Sequence, residues 1–133
     1  MAKLPTRANP TDAGLDLFAA TEKPFGQNML EYDTGVAVAI PPGYVGLVFP
    51  RSSITGTCLR LANCVGVIDS DYRGTIRFRF DFAPHNDDSD RSYNVGDRIG
   101  QLVIVPCMLW EPQQVEELPE TARGQGGFGS SGR

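Results

Sequence analysis

Two aspartates beside a turn are the residues of this sequence best suited to acid–base chemistry. They are Asp69 and Asp71, in the segment VGVIDSDYRG, which predicts two strands around a turn, a hairpin. If the segment is extended, both carboxylates point to one side and Tyr72 to the other. Acidic residues in such a place commonly form solvated turns. A carboxylate held beside a ligand instead serves as a general base or binds a metal-coordinated water, and the spacing leaves both interpretations open.

Three further polar positions suit a phosphate site. Arg51 follows a predicted strand in the run PRSS, where one guanidinium, two hydroxyls and free backbone amides form either a phosphate pocket or a turn with an exposed arginine. Asp16, in AGLDLF, either belongs to a turn entering a strand or orients an arginine. Gln101 is the one polar group of an otherwise apolar strand, so we expect it to have a hydrogen-bond partner.

A glycine-rich tail carries a formal match to the dinucleotide-binding pattern GxGxxG at residues 124–129. That interpretation requires a following helix in a βαβ unit, and the few residues after the match leave no room for it. The tail is expected to be mobile alone and ordered only against a ligand or a neighbour. It is either a solvated tail or an arm in which Phe128 stacks on a base while Arg123, Ser130 and Ser131 hold phosphates.

The composition excludes several kinds of site. The single histidine, His85, lies in an aspartate-rich stretch, which nearly removes histidine triads and histidine-based zinc sites from consideration. A net charge of −4 and a pI near 4.9 argue against a nucleic-acid scaffold held by phosphate charge. Ten arginines against two lysines keep small phosphorylated ligands among the candidates, because the guanidinium fork fits phosphate oxygens.

Short strands are the elements that must position these residues. The 133-residue chain has 15 glycines, 10 prolines and 41% hydrophobic residues, which indicates many turns between short strands in one folded domain. Apolar residues alternate at Val36–Ile40 and at Val45–Phe49. The clearest alternation is TIRFRFDF at residues 75–82, in which the isoleucine and the three phenylalanines face one way.

The C-terminal part of the sequence predicts two more strands. Ile99–Val105 is apolar on both faces after Gln101 and is expected to be a central strand or to lie at a subunit contact. A later strand is expected over Met108–Glu117, where Pro112 marks a bend or an edge. The one candidate helix, QQVEELPETAR, is broken by Pro119. The whole pattern predicts an antiparallel sandwich, jelly roll or barrel.

The cysteines and the hydropathy pattern predict where the protein works. Cys58, Cys64 and Cys107 lack CxxC spacing and are expected to fill the core as free thiols in a reducing compartment. No apolar signal segment is visible at the N-terminus, and the longest apolar run has nine residues with a proline among them. We therefore expect a cytoplasmic protein that does not span a membrane.

Taken in order, five segments resemble the motifs of the trimeric dUTP pyrophosphatase (dUTPase) family. They are AGLDLF, PRSS, NCVGVIDSDYRG, DRIGQLVIVP and RGQGGFGSSG, and the resemblance runs from about Asp12 to Gly132. It implies an all-β, distorted antiparallel jelly roll (a β-clip) over residues 1–118. It also implies a flexible C-terminal arm at 119–133 that closes over a neighbouring subunit's active site, in a homotrimer whose active sites are shared between subunits.

The resemblance also implies Mg²⁺-dependent hydrolysis of dUTP to dUMP and pyrophosphate. Asp69 matches the catalytic carboxylate that activates water for attack on the α-phosphorus. Mg²⁺ is held mainly by the substrate phosphates and water, and Asp16 supports that region with at most an indirect contact to the metal. The uracil and deoxyribose positions match Asn63, Gly66, Val67, Ile68, Tyr72 and Phe128. The phosphate positions match Arg51, Ser52, Ser53, Gln101, Arg123, Gly127, Ser130 and Ser131.

The sequence departs from the family pattern in a few places. Ser53 replaces a common glycine, Gly100 stands where alanine is common, and Thr55–Cys58 lacks a basic residue found in many relatives. The acidic stretch Asn86–Asp90 matches no motif and is expected to be a solvated loop. Two alternatives come from other classes: a nucleotide-binding regulatory module that acts through a protein partner, and a dCTP deaminase, which needs its own acidic group on the cytosine edge. No membrane or direct nucleic-acid partner is expected.

Overall fold

The structure of this chain is a computed structural model that describes residues 1–82 and 92–127. In that part of the chain there are eight β-strands and one short 3-10 helix, which spans Ser52–Gly56. The strands are β1 (Leu15–Phe18), β2 (Thr21–Phe25), β3 (Met29–Asp33), β4 (Tyr44–Phe49), β5 (Leu59–Leu61), β6 (Gly66–Ile68), β7 (Arg77–Phe82) and β8 (Arg98–Pro106). The predicted acidic loop, His85, and the arm residues Phe128, Ser130 and Ser131 lie outside the described residues.

Within the described residues, the strands form two four-stranded antiparallel sheets. The first has the order β1-β8-β4-β6 and the second the order β2-β3-β7-β5. The chain changes sheet repeatedly, so neighbouring strands often come from distant parts of the sequence. This confirms the predicted all-β jelly roll. β8 lies between β1 and β4, which confirms its prediction as a central strand.

The hydrophobic core lies between the two sheets and follows from strand alternation. In β7, Phe78 and Phe80 are fully buried while Arg77 and Arg79 face solvent, as the TIRFRFDF pattern predicts. The first sheet contributes Leu17, Val48, Ile99 and Leu102 to the same core. Each fully buried side chain of this kind stabilises the fold by about 1.5–3 kcal/mol, so this layer holds the two sheets together.

Gly100, one of the departures from the family pattern, has a packing reason. A Cβ at this position of β8 would overlap the Phe78 ring and come within 2.9 Å of the Phe49 carbonyl oxygen. Phe78 is wholly buried, so its ring has little space into which to move. Glycine at position 100 therefore accommodates phenylalanine at position 78.

Two predicted strands are wrong in the single chain. Residues 36–40 keep the predicted alternation of side chains but form no strand, although the Val36 carbonyl oxygen accepts a hydrogen bond from the Ile76 N–H at 2.8 Å. Met108–Glu117 is exposed throughout and also forms no strand. The chain has left the sheet after β8, and an extended segment forms a ladder only where a neighbouring strand supplies its hydrogen-bond partners.

The first sheet has an apolar outer face. The side chains of β4 alternate between the two faces of the sheet, as predicted, and Gly46 and Val48 lie on the more buried face. The opposite face of β4 and the matching face of β8 carry Val45, Leu47, Phe49, Val103 and Val105. These side chains are only partly buried in the single chain, which leaves a mainly aliphatic surface on one side of the sheet.

β2 forms one edge of the second sheet and pairs with β3. Its first four residues are exposed, and Pro24 lies opposite Leu30 of β3. Proline has no backbone N–H, so it is tolerated at the edge of a sheet.

The cysteines differ in their surroundings. Cys58 is buried, Cys107 is partly buried and Cys64 is exposed, so the prediction that all three fill the core is wrong for Cys64. Cys64 and Cys107 are free thiols. Among the residues that the structure describes, no helix combines the length and the apolar character needed to cross a membrane.

Candidate active site

Asp69 directly follows β6 and lies in a pocket of about 570 Å³. The lining includes Phe25, Asn63, Val67, Ile68, Tyr72 and Thr75. The Asp69 side chain is exposed, and its carboxylate makes no hydrogen bond or ion pair with any other described residue. A carboxylate in this state can accept a hydrogen bond from a water or from a ligand in the pocket.

The segment around Asp69 is not the predicted hairpin. β6 pairs with β4 in the first sheet, whereas β7 pairs with β3 and β5 in the second. The chain between them crosses from one sheet to the other, and the Tyr72 N–H donates to the Asp69 carbonyl oxygen at 3.2 Å to close a turn. Asp69 and Asp71 therefore belong to a turn instead of sharing one face of an extended strand.

Tyr72 is held against the backbone that follows it. Its hydroxyl donates to the Thr75 carbonyl oxygen at 3.0 Å. A Cβ on Gly74 would overlap that hydroxyl, so glycine permits the close approach of the ring. The tyrosine is still 42% exposed, which leaves ring surface in the pocket for an apolar part of a ligand.

A tight turn forms another wall of the same pocket. Cys64 has a φ of 60°, and the Val65 N–H donates to the Asn63 carbonyl oxygen at 2.6 Å, as in a γ-turn. A Cβ on Gly66 would overlap the Val48 side chain, so the chain packs closely on β4 at this point. Sequence reasoning treated Cys64 only as a thiol, because a positive φ at a cysteine has no sequence signal.

A second pocket, of about 300 Å³, is lined by Asp16, Arg51, Ser52 and Gln101 among others. Asp16 Oδ1 accepts a hydrogen bond from Arg51 Nε at 2.9 Å, so this carboxylate does orient an arginine. Ser52 begins the 3-10 helix, where the first backbone N–H groups have no partner within the helix. Gln101 Nε2 donates to the Pro50 carbonyl oxygen at 3.3 Å, which confirms that it has a partner.

Two residues at the second pocket were missed by sequence reasoning. Arg98 Nη1 donates to Asp16 Oδ2 at 3.1 Å, so Asp16 holds two arginines. Gly14 leaves the space that the Gln101 side chain occupies, because a Cβ on Gly14 would overlap Gln101 Oε1. Arg98 lies in the quoted segment DRIGQ, but its contact depends on the pairing of β1 with β8, which one sequence does not reveal.

Ser53 makes a contact that the more common glycine lacks. Arg51 Nη1 donates to Ser53 Oγ at 3.3 Å. The nearby Tyr93 is buried, and its hydroxyl has no hydrogen-bond partner in the described part of the chain. Burial raises the pKa of Tyr93 against the opposing effect of the Arg51 charge.

The described part of the arm forms a local turn. Arg123 Nε donates to the Gly126 carbonyl oxygen at 2.7 Å, and Arg123 is exposed. Gly127 has open space around its Cα. Up to residue 127, no hydrogen bond or ion pair joins the arm to either pocket. Phe128, Ser130 and Ser131 lie outside the described residues.

The two pockets lie at opposite ends of the first sheet. β4 and β6 are antiparallel, with Gly46 opposite Ile68. Continuing this register places Asp69 opposite Val45. Arg51 is six residues further along the chain than Val45, or about 20 Å in an extended strand. The Asp69 carboxylate and the Arg51 guanidinium of one chain are therefore too far apart to contact the same phosphate group.

These features define the class of the protein: a jelly-roll protein with an unpartnered carboxylate and an exposed tyrosine ring in one pocket, and an arginine held by an aspartate in a second. The dUTPase family model matches residues 1–132. The chain belongs to the dUTPase family.

Relatives and solved structures agree with this assignment. The deoxyuridine 5'-triphosphate nucleotidohydrolase of Corynebacterium glutamicum is 42% identical over 134 residues, which cover 98% of this chain and 87% of that protein. The dUTPase of Staphylococcus bacteriophage 80alpha, solved with dUPNHPP, has a TM-score of 0.83 and 34% identity, over 99% of this chain and 93% of that one. A variant dUTPase from phage phi11 of S. aureus, solved to show the coordination of a structural Mg(II) ion, has a TM-score of 0.71 and 36% identity, over 87% of this chain and 91% of that one.

Proposed function

We propose that this protein hydrolyses dUTP to dUMP and pyrophosphate, which limits uracil in DNA and supplies dUMP for dTMP synthesis. The observation that carries the proposal is the unpartnered Asp69 carboxylate, in a pocket with an exposed tyrosine ring, in a chain of the dUTPase family. Asp69 orients a water and takes its proton as the water attacks the α-phosphorus in line with the leaving pyrophosphate. Membership of this family favours diphosphatase activity over a deaminase or a binding-only module.

The first pocket receives deoxyuridine. Asn63 and the backbone of Gly66, Val67 and Ile68 meet the uracil edge, where main-chain donors and acceptors distinguish uracil from cytosine. Tyr72 packs on the deoxyribose and leaves no space for a ribose 2′-hydroxyl. Phe128, in the arm, covers the uracil. The mixture of polar backbone and apolar side chains in this pocket supports this role.

The second pocket receives the phosphates. The side chains and amides of Arg51, Ser52, Ser53 and Gln101 contact them there, and Arg123, Gly127, Ser130 and Ser131 contact them from the arm. A guanidinium fork, hydroxyls and free backbone N–H groups are suitable donors for phosphate oxygens. No protein nucleophile is needed, since phosphoryl transfer depends mainly on positioning and charge stabilisation.

Mg²⁺ fits the second pocket as an ion carried by the substrate. The charged lining is Asp12, Asp16 and Arg51, so the pocket alone does not balance a triphosphate of about four negative charges. Asp16 already accepts hydrogen bonds from Arg51 and Arg98. No group of three or more His, Cys, Asp or Glu side chains suited to a metal occurs among residues 1–82 and 92–127. In this proposal the substrate phosphates and water would be the main ligands of Mg²⁺, which would neutralise the triphosphate, and Asp16 would act indirectly.

A homotrimer with shared active sites explains the separation of the two pockets. One subunit supplies Asp69 and the nucleoside pocket, and a neighbour supplies Arg51 and the phosphate pocket. The apolar outer face of the first sheet supports burial against another copy of the chain, because aliphatic surface of this kind is stabilised by removal from water.

The arm at residues 119–133 closes over the site of a neighbouring subunit, and residues 1–118 form the jelly-roll domain. The exposed course of the chain from Met108 to Gln125 supports a segment that finds its partner outside its own subunit. Deletion of residues 123–133 is expected to leave a folded trimer with at most about 1% of the turnover, because arm closure excludes water and fixes the phosphates. Light scattering and kinetics test this, and full activity in the truncated protein would contradict it.

The cytoplasm is the expected location. The free thiols of Cys64 and Cys107 support a reducing compartment.

A substrate panel on the wild-type protein tests the proposed function. dUTP, dCTP, dTTP and UTP are each supplied with Mg²⁺, and pyrophosphate release is measured, with an excess of chelator as the control. We expect rapid release from dUTP and at least about a hundredfold lower kcat/KM for the other nucleotides. Equal use of dCTP, or no release from dUTP, would refute the proposal.

A further inference from the structure

Asp33, a carboxylate outside the five motifs, ties together two parts of the second sheet beside the nucleoside pocket. It is the last residue of β3 and lies opposite Arg77, the first residue of β7. Its Oδ2 accepts hydrogen bonds from Thr75 Oγ1 at 2.8 Å and from Arg77 Nε at 3.0 Å. Its Oδ1 accepts a hydrogen bond from the Gly35 N–H at 2.7 Å. One oxygen of this carboxylate thus binds the chain that returns from the pocket, and the other binds the turn that follows β3.

Thr75 passes this restraint to Tyr72. The Thr75 carbonyl oxygen accepts the Tyr72 hydroxyl at 3.0 Å, while the Thr75 side chain donates to Asp33. The other end of the same peptide unit is also fixed, because the Ile76 N–H donates to the Val36 carbonyl oxygen at 2.8 Å. The acceptor of the tyrosine hydroxyl therefore has a fixed position, and Thr75 itself lines the pocket.

The negative charge of Asp33 fixes the direction of the hydrogen bond between its carboxylate and the Thr75 hydroxyl. Burial raises the pKa of Asp33, but the Gly35 N–H, the Thr75 hydroxyl and Arg77 together lower it below its ordinary value. An ionised carboxylate only accepts hydrogen bonds, so the Thr75 hydroxyl must donate to it. An asparagine of the same shape has only one oxygen, so if that oxygen accepts from Thr75 and Arg77, its NH2 group meets the Gly35 N–H, which is also a donor.

We propose that Asp33 is a positioning residue, which holds Tyr72 through Thr75 and thereby sets how strictly the site prefers deoxyribose over ribose. The proposal rests on the proposed function, in which the Tyr72 ring packs on the sugar. The hydroxyl end of the ring packs closely against Gly74, and the Thr75 carbonyl oxygen holds the hydroxyl. A ring fixed in this way cannot move aside for a 2′-hydroxyl, whereas a loosened ring makes room for it.

Asp33→Asn and Thr75→Val are the test variants, and Asp81→Asn is the matched control. Asp81 lies on β7, the strand that pairs with β3, and is paired with an arginine, Arg60, at 3.0 Å, but it does not line the nucleoside pocket. We expect each test variant to lower the ratio of kcat/KM for dUTP to kcat/KM for UTP about tenfold, with most of the change coming from a lower KM for UTP, because the loosened ring makes room for the 2′-hydroxyl. The control keeps the wild-type ratio. Equal effects of Asp33→Asn and Asp81→Asn would overturn the proposal.

A double-mutant cycle separates positioning from a general loss of stability. In Tyr72→Phe the hydroxyl through which Asp33 acts is gone, so adding Asp33→Asn is expected to change the ratio less than about twofold. A further tenfold change in that background would show that Asp33 acts by another route. Thermal unfolding of each variant reports whether it is folded.

The proposal also has a readout that does not require turnover. In protein with isotope-labelled tyrosine, the ring resonance missing from Tyr72→Phe identifies Tyr72. A shift of that resonance in Asp33→Asn and Thr75→Val, with none in Asp81→Asn, supports the restraint even if the wild type fails to hydrolyse dUTP. An unchanged Tyr72 resonance in both test variants would overturn it, whatever the substrate panel shows.

Discussion

Asp69 and its neighbour Asp71 have no hydrogen-bond or ion-pair partner among the described residues, and of the two only Asp69 lines the nucleoside pocket. Asp16 accepts hydrogen bonds from two arginines, Asp33 accepts three hydrogen bonds, and Asp81 is paired with Arg60. A paired carboxylate is already occupied by donors, whereas Asp69 offers its oxygens to the pocket. The proposed general base is thus an unpartnered carboxylate that lines the nucleoside pocket.

Asp69→Asn is expected to lower kcat for dUTP about a thousandfold, because an amide cannot take a proton from water. Binding of dUpNHpp, measured by calorimetry, is expected to change less than about threefold, since the variant keeps the shape of the side chain. Asp71→Asn, in the same turn, is the control and is expected to keep kcat within about tenfold of the wild type. Robust turnover by Asp69→Asn would remove Asp69 as the base.

Gly14→Ala is expected to weaken phosphate binding without unfolding the protein. The new Cβ would overlap Gln101 Oε1, so that side chain must leave its present place in the second pocket and give up its hydrogen bond to the Pro50 carbonyl oxygen. We expect the KM for dUTP to rise about tenfold while the melting temperature falls by only a few degrees, roughly. Gly56→Ala is the matched control, because a Cβ there meets nothing within 4 Å. Equal KM values for the two variants would contradict the prediction.

Residue types and spacing identified most of the candidate site but few of its supporting contacts. Asp16, Arg51 and Gln101 were named from their segments, and the structure brings all three to one pocket. Asp33 was not named, because its role depends on Thr75, 42 positions away, and nothing in either segment signals that contact. Arg98 was missed for the same reason, since its partner Asp16 is 82 positions away.

At the scale of elements, Glu31 joins three strands of the second sheet. Its side chain is only 2% exposed, yet it contacts Lys23 of β2 at 3.1 Å and Arg79 of β7 at 2.8 Å. The Arg79 guanidinium also lies 3.8 Å from the centre of the Phe25 ring, so one residue of β7 binds both a charge and an aromatic face. This cluster fixes the wall of the nucleoside pocket that Phe25 and Arg79 share.

The Glu31 cluster predicts part of the acid sensitivity of the fold. The Arg79 guanidinium holds the pKa of Glu31 below its ordinary value of 4.5, against the burial that raises it, and Lys23 lowers it further. A carboxyl whose pKa is lowered in the folded state stabilises the fold above its ordinary pKa and loses this effect as the pH falls through the folded pKa. Stability should therefore decline as the pH falls below 4.5.

Glu31→Gln is expected to lower the free energy of unfolding by about 2 kcal/mol at neutral pH, because charged hydrogen bonds are lost. The difference from the wild type should shrink as the pH falls below 4.5, because Glu31 becomes protonated in the wild type. Urea unfolding at several pH values measures this. Glu22→Gln, on the exposed side of β2, is expected to stay within about 0.5 kcal/mol of the wild type. A difference that does not change with pH would contradict the assignment to Glu31.

The sequence predicts a strand well where one face of that strand is buried, and less well where the strand it pairs with is distant in the sequence. The alternation of TIRFRFDF located β7 and its buried face, since period two is enforced by the core. The segment after Asp69 has equally good turn signals but joins two sheets, because the choice of partner for β6 is made by β4, not by the turn. Met108–Glu117 has the composition of a strand, but the single chain offers it no neighbour.

At the scale of the whole molecule, the separation of Asp69 from Arg51 gives a test of the shared site. Asp69→Asn and Arg51→Ala are each expected to be nearly inactive as pure proteins, because every site lacks one component. When the two variants are unfolded and refolded together in equal amounts, each mixed trimer contains one subunit interface at which an intact Asp69 meets an intact Arg51. About a quarter of the wild-type activity should then return.

The same experiment has a clear contrary result. If the complete site lay within one chain, the mixture would be as inactive as its components, since no chain carries both residues. Light scattering on the mixture confirms that mixed oligomers have formed, and a wild-type sample treated in the same way gives the recovery expected from refolding alone. A monomer that remains fully active would also contradict the shared site.

Pro24, in the edge strand β2, affects how the protein behaves at high concentration. An exposed strand edge invites pairing with another chain, and repeated pairing of this kind leads to fibrils. Proline lacks the N–H that such a ladder requires, and the charged neighbours Glu22 and Lys23 disfavour close stacking of copies. The chain can therefore form a closed oligomer through the apolar face of its first sheet, while its exposed edge strand β2 disfavours aggregation.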